Sequence, residues 1–513
     1  MTLSRLTLAL ILAVTTCKSQ EECLSKDFGN GGTVCVCNSE HCDTLPKLEK
    51  TEEGQFRVYT SNKDGQRFQQ KSGVFSKKGK LFSKNKITID RSKQYQEIEG
   101  FGGAFSDSVG INIASLDENV QKFLLQSYFA DDGIEYSLCR IPIGGTDFST
   151  RAYTYDDGEE DPDLNNFALA EEDFKYKIPY MKQAMELRGE NKLRFFGSPW
   201  MVPKWIKTNG QYDGFGFVKT EMYQTWASYF LKFLEEYKKE GLEFWAVTTQ
   251  NEPSLALGKG AKGLGSTGWD SIQLANWVTN NLGPTIKNSS FSDVKIIILD
   301  DQKPFLPWYV NSVLRDKATQ NYVDGIAIHW YLGLITPGSV MDKTHENFPD
   351  KFIISTEAAC GFSPKSEAVA LGAWDRGEAY ATDIIEDLQN WVVGWVDWNM
   401  CLDMKGGPTY IGNFIDAPII VNAGANEFYK NPMYYVLGHF SKFLPVGSIR
   451  IDSKTDLDLD DVMVVAFQRP DEGTAVIILN KKEKPVSVNL IDETRGTAAI
   501  DISQKSITSI LYW

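Results

Sequence analysis

Between residues 95 and 447 of the 513-residue chain, eight apolar runs of five to eight residues alternate with longer, charged stretches. In order they read E-I-E-G-F-G-G-A-F-S-D, S-L-C-R-I-P-I-G-G-T-D, L-R-F-F-G-S-P-W, F-W-A-V-T-T-Q-N-E-P, K-I-I-I-L-D-D-Q, G-I-A-I-H-W-Y, F-I-I-S-T-E and V-V-G-W-V-D-W-N. Such runs have the length and composition of parallel strands buried on both faces. Between several of them lie helix-like segments such as Y-Q-T-W-A-S-Y-F-L-K-F-L-E-E-Y-K-K, with apolar residues three and four apart. Eight strand–helix repeats predict an α/β fold, a (β/α)8 TIM barrel over 95–399 with 432–447. An open doubly wound sheet is the alternative, but no G-x-G-x-x-G follows an early strand.

The runs finish on polar or aromatic residues: Asp107, Arg140, Trp200, Asn251 with Glu252, Asp300 with Asp301, His329 with Tyr331, Glu357, and Trp398 with Asn399. In a barrel these ends converge on one mouth, where catalytic groups are kept. Glu252 and Glu357 end the fourth and seventh runs, and a pair of carboxylic acids is what glycoside hydrolysis needs. The expected roles are Glu252 as acid/base, Asn251 as the amide that holds the sugar 2-hydroxyl, and Glu357 as nucleophile. Arg140, His329 and Tyr331 are placed to keep Glu357 charged. The plainer readings are a surface salt bridge for Glu252, a structural ion pair for Arg140 and a core histidine for His329. No catalytic metal or cofactor is expected. The four histidines, His41, His329, His345 and His439, are scattered and form no H-x-H or H-E-x-x-H. Asp300 and Asp301 fit a turn or cap as well as they fit a hard cation. No G-x-S-x-G elbow or P-loop is present.

The flanks differ from the middle. Residues 47–94 and the stretch from 448 to 513 carry short alternating or fully apolar strands, V-M-V-V-A-F and A-V-I-I-L-N among them, and are expected to share one β-sandwich-like domain. Arg5 followed by the apolar stretch Leu6 to Val14 reads as a secretory signal over 1–19, with cleavage within 16–21. Four of the eight cysteines, Cys23, Cys35, Cys37 and Cys42, crowd into one short piece. In a secreted chain that reads as a two-disulfide knot, with zinc as the rival. Cys17 is expected to leave with the signal; Cys139, Cys360 and Cys401 then remain, an odd number, so at least one thiol is expected to be free. Asn288 heads a glycosylation sequon. The net charge of -15 argues against nucleic acid as a partner, and no second segment has the length of a transmembrane helix.

Several stretches resemble the acid β-glucosidases (glucosylceramidases) of glycoside hydrolase family 30: G-F-G-G-A-F-S-D, S-P-W-M-V-P-K-W-I-K-T-N-G, F-W-A-V-T-T-Q-N-E-P-S, H-W-Y, G-A-W-D-R-G, G-W-V-D-W-N and Y-V-L-G-H-F-S-K-F. The resemblance spans about 23–513 and includes the C-x11-C-x-C-x4-C pattern. It implies Cys23–Cys35 and Cys37–Cys42 bridges, and a small three-stranded, disulfide-stapled antiparallel domain over 20–46 with 400–431. It implies a retaining β-glucosidase acting on glucosylceramide in membranes at acidic pH, helped by anionic lipids and a saposin-type activator. Residence in the lysosome is implied too, with secretion as the alternative. On the matching motifs, Glu252 falls on the acid/base and Glu357 on the nucleophile. Asp107, Trp200, Asn251 and Trp398 fall on glucose contacts, Asn413 on the pocket rim, and Arg140, His329 and Tyr331 on the nucleophile's network. The chain departs from the family at Gln250, where an acidic residue is usual, at Cys360, one place later than the family's cysteine, and in L-A-L-G-K-G-A-K-G-L-G-S-T, the loop after the acid/base, which lacks the family's aromatics.

Overall fold

The computed structural model of the chain describes residues 21–77, 83–189, 193–257, 263–363, 366–456 and 461–513. The signal segment, with Cys17, and positions 258–262 of the departing loop lie outside the described residues. All eight runs form strands, and they close into one barrel in chain order: β1 (Gly100–Ala104), β2 (Leu138–Ile143), β3 (Arg194–Pro199), β4 (Ala246–Thr248), β5 (Lys295–Gln302), β6 (Gly325–His329), β7 (Phe352–Glu357) and β8 (Val392–Asn399). Each neighbouring pair is parallel, and β8 returns to β1 through Gly394 against Gly100. The β1–β2 contact is so close that a Cβ on Gly102 would lie 1.4 Å from the Leu138 carbonyl oxygen, so the G-G of G-F-G-G-A is a packing requirement.

One apolar core fills the barrel: Leu138, Phe196, Ala246, Ile297, Ala327, Ile354, Val393 and Val396 each come from a strand. A larger core lies outside, between strands and helices. The helix Tyr223–Lys239 shows how the outer layer forms. It buries Trp226, Phe230, Phe233 and Tyr237 along one stripe, and Gly241 follows its end at φ +78.

Residues from both flanks make a single nine-stranded sheet, in which Gln55–Asn62 pairs with Ser506–Tyr512 and Lys86–Glu97 pairs with Ile449–Asp456. A bridge between Ser76 and Thr497 joins the two ends of that sheet, so it curls on itself around a separate core. The bridges Cys23–Cys35 and Cys37–Cys42 are both formed, beside a sheet of five strands rather than the expected three. The two extra strands carry little periodic signal: Ser25–Asp27 is exposed at every position, and Cys401–Asp403 follows β8 almost without a break. That second strand pairs parallel to Ile419–Asn422, so the sheet is not wholly antiparallel. Cys139, Cys360 and Cys401 are unpaired and buried, and Asn288 is exposed just past the helix Gly283–Lys287.

Candidate active site

At the carboxyl end of the barrel opens a cavity of about 370 Å³, lined among others by Trp200, Asn251, Glu252, Tyr331, Glu357, Trp398 and Asn413. Trp200 and Trp398 stack 4.8 Å apart and nearly parallel, making one wall an aromatic face. One carboxylate oxygen of Glu252, one of Glu357 and a ring nitrogen of His329 all lie within 4.8 Å of one another.

Arg140 organises the floor. It is fully buried, and its guanidinium donates to Glu357 Oε2, to Asn251 Oδ1 at 2.8 Å, to Asp300 Oδ2 at 2.7 Å and to Ser198 Oγ at 3.1 Å. It also sits 4.5 Å over the Trp200 ring. Tyr331 donates to the other Glu357 oxygen at 2.8 Å. With Asn251 Oδ1 taken by Arg140, its Nδ2 amide is the end left for a ligand. His329 bridges Glu252 Oε1 at 2.9 Å and Asp300 Oδ1 at 3.0 Å. Gln302 donates to the same Glu252 oxygen at 2.6 Å.

Local backbone geometry places these groups. The register of β5 against β6 shifts between Leu299 and Asp301, so Asp300 is an extra residue in a bulge with φ +52. The bulge turns Asp300 inward to Arg140, while Asp301 faces the turn after β4. Glu252 itself has φ +40. A side chain held at positive φ costs about 1–3 kcal/mol, so this backbone persists because the surrounding hydrogen bonds hold it.

Charges follow from the same contacts. Burial disfavours an ionised Asp300, but Arg140 and the His329 ring outweigh it and hold the carboxyl well below the usual carboxylate range. Burial also disfavours an imidazolium at His329, yet Glu357, Asp300 and Glu252 push the ring up to about 10. Burial pushes Glu357 above the ordinary range and Glu252 adds to that; His329 and Arg140 pull against it. Both Glu357 oxygens face donors, so the anion is the form its hydrogen bonds fit.

Of the residues expected at the site, Asp107 is not in the cavity lining. It opens the helix Asp107–Ala114 and is engaged by Ser149, Tyr153 and Lys177. The acid that does line the cavity is Asp147, buried and held by Asn413 Nδ2 at 2.9 Å, with Phe148 beside it. The signal for it is in the sequence: Asp147 is the last residue of the second run as quoted, past its glycine pair. Gln302, central here, reads in sequence only as a strand end, and Asp300 as a strand end at the mouth that fits a turn, a cap or a hard cation. Gln250 gives its amide to the carbonyls of Pro199 at 3.0 Å and Trp200 at 2.9 Å, a task that a carboxylate could not perform.

Buried carboxyls give the molecule a pH dependence. Burial lifts Asp107 and Asp397, and pushes Asp147 and Asp301 up to about 7. A carboxyl whose folded pKa exceeds its unfolded value contributes stability that is fully present below pH ~4 and is lost as pH rises through the folded pKa. His329, raised, acts in the same sense. His439, buried between Ser61 and Ser509 and pushed down to about 3, opposes it below pH ~6.5. The expected result is a melting temperature higher at pH 5.5 than at pH 8 by at least ~2 °C, the shift roughly 1 kcal/mol makes. A melt that rises toward pH 8 contradicts it.

The barrel residues 98–444 match the glycosyl hydrolase family 30 TIM-barrel domain, and 447–510 match the family's beta sandwich domain. The chain is 40% identical to the lysosomal acid glucosylceramidase of Mus musculus, over 95% of both chains, and 40% identical to putative glucosylceramidase 4 of Caenorhabditis elegans, over 94% of this chain and 93% of that one. Among solved structures it superposes on SrfJ from Salmonella typhimurium with a TM-score of 0.82 at 25% identity, over 89% of this chain and 99% of that one. A barrel and a sandwich matched along their lengths, around two facing glutamates, make the chain a member of glycoside hydrolase family 30, a family of retaining glycosidases.

Proposed function

We propose that the chain is a retaining β-glucosidase that hydrolyses glucosylceramide to glucose and ceramide, with Glu357 as nucleophile and Glu252 as acid/base. The observation that carries the reading is the Glu252–Glu357 approach within 4.8 Å, short enough for direct attack rather than for a water between the carboxyls. Glu357 attacks the anomeric carbon as Glu252 passes its proton to the departing ceramide oxygen. A covalent β-linkage is replaced by a glucosyl ester on Glu357. Glu252, now ionised, takes a proton from water, the water oxygen bonds to the anomeric carbon, and glucose leaves with Glu357 restored. Asn251 holds the 2-hydroxyl, and Trp200 and Trp398 cover a sugar face. Asp147 and Asn413 supply polar contacts at the rim.

The lipid half is supported by the mouth. Leu332 and Phe362 line it while 41% and 48% exposed; Ile335, whose N–H bonds the Leu332 carbonyl, is 77% exposed, and Phe414, between the lining residues Asn413 and Ile415, is 42% exposed. Exposed apolar side chains around a polar pocket suit a headgroup inserted from a lipid surface. Among the described residues no helix is long and apolar enough to cross a membrane. The same reading places the enzyme at lysosomal membranes, with anionic lipids and a saposin-type activator as helpers, and a net charge that shrinks toward pH 5 eases approach to such lipids.

The test is a mechanism-based β-glucosyl inactivator followed by peptide mapping, together with kcat/KM for glucosylceramide against aryl xylosides and galactosides. Label on Glu357 and preference for the glucoside are expected. Label elsewhere, or preference for another sugar, overturns the assignment. Glu252→Gln should slow poor leaving groups by about 10²–10⁴-fold and spare a dinitrophenyl glucoside in the first step. Equal slowing of both substrates speaks against Glu252 as acid/base.

A further inference from the structure

Asp301 lies one residue past the β5 bulge and is buried. Its Oδ2 accepts the Ser254 N–H at 2.9 Å, and its Oδ1 accepts the Ser254 hydroxyl at 3.0 Å and the Gln302 N–H at 2.8 Å. Ser254 is the second residue after Glu252. Gln302 carries the amide that donates to Glu252 Oε1. One carboxylate thus ties down both the backbone behind the acid/base and the backbone of the residue whose side-chain amide faces it. The tie matters because Glu252 stands at positive φ and its N–H is held by the carbonyl of the bulged Asp300, at 2.8 Å. Released, the turn Pro253–Leu257 would relax toward ordinary backbone and carry the carboxyl with it.

We propose that Asp301 is a positioning residue for Glu252, aiming the acid/base by fixing Ser254 and Gln302. The inference rests on the acid/base reading of Glu252. Only the steps in which a proton passes through Glu252 depend on this aim: protonation of the leaving oxygen and activation of water. Attack by Glu357, held by Arg140 and Tyr331, does not. Glu252 is faced by Asp301 from β5, His329 and Tyr331 from and beyond β6, Glu357 from β7, and Asp147 from the loop after β2.

Asp301→Asn tests this, because the amide keeps one acceptor but turns a donor toward another donor. Ser254→Ala is the milder variant, losing only the hydroxyl contact. On phenyl β-glucoside, a poor leaving group, Asp301→Asn is expected to lower kcat/KM by about 30-fold, with 2,4-dinitrophenyl β-glucoside changed less than about threefold. Added azide is expected to raise kcat on the dinitrophenyl substrate, releasing β-glucosyl azide. Ser254→Ala is expected to show the same substrate split at smaller size. Equal losses on both substrates, or no split in a folded Asp301→Asn, overturns the inference. If Asp301→Asn fails to fold, an unchanged substrate ratio in Ser254→Ala overturns it. Glu252→Gln separates the two claims: if it shows the split and Asp301→Asn does not, the positioning role alone falls, and if neither does, the acid/base reading falls first.

Discussion

Glu357→Gln is expected to turn over an activated aryl β-glucoside on the order of 10⁶-fold more slowly than the unaltered chain, the scale of losing a covalent nucleophile. The two side chains are nearly isosteric, so the effect isolates chemistry from shape. An amide oxygen cannot form the glucosyl ester, and no other carboxyl is aimed at the same carbon while Glu252 is committed to His329 and Gln302. The fold should tolerate the change better than the activity does. Arg140 keeps Asp300, Asn251 and Ser198 as partners, and Tyr331 keeps an acceptor in the amide oxygen. Turnover by the purified variant, with a melting temperature close to the original and no label from a β-glucosyl inactivator, is the measurement. Residual activity within about 100-fold of the original would falsify the nucleophile assignment.

Removing Arg140 should damage stability and catalysis together. Arg140→Met deletes one of the two cations that hold Asp300, which is fully buried and, among the described residues, keeps Thr248, Thr356 and His329 as hydrogen-bond partners of its carboxyl. Breaking one side of a buried ion pair costs about 3–5 kcal/mol, because the remaining charge is stranded in low dielectric. Asn251 and Glu357 lose their shared anchor in the same step, so activity is expected to fall even in the folded fraction. The pair Arg140→Met/Asp300→Asn should be less destabilised than the two single changes summed, since the second change removes the stranded charge. Urea unfolding of the four proteins tests both statements. Single-variant stability within roughly 0.5 kcal/mol of the original contradicts the first, and simple additivity contradicts the second.

Much of this architecture was legible in the sequence because it rests on patterns that survive translation into structure. Eight buried strands read as eight apolar runs, and Tyr223–Lys239 read as a helix over those same residues because its buried stripe repeats at helical spacing. Strand ends also marked the site, since a barrel brings its strand ends to one mouth. What escaped depends on departures from regular backbone. The β5 bulge decides which of Asp300 and Asp301 faces inward, and no periodicity shows a bulge. Asp107 and Asp147 are both acids past a barrel strand, and only the three-dimensional course of each loop tells which one meets the cavity. The strand Ser25–Asp27 is too short and too exposed to carry a pattern.

The closed nine-stranded sheet also has a consequence in time. Among the described residues, its strand Gln55–Asn62 finds its long-range strand neighbour in Ser506–Tyr512, more than four hundred residues later. During synthesis the early strand therefore emerges hundreds of residues before its partner exists, with one edge exposed while the barrel forms between them. Contacts this distant in sequence are slow to make and leave sticky edges in the interval. A premature stop before Ser506 would leave the first strand without that neighbour.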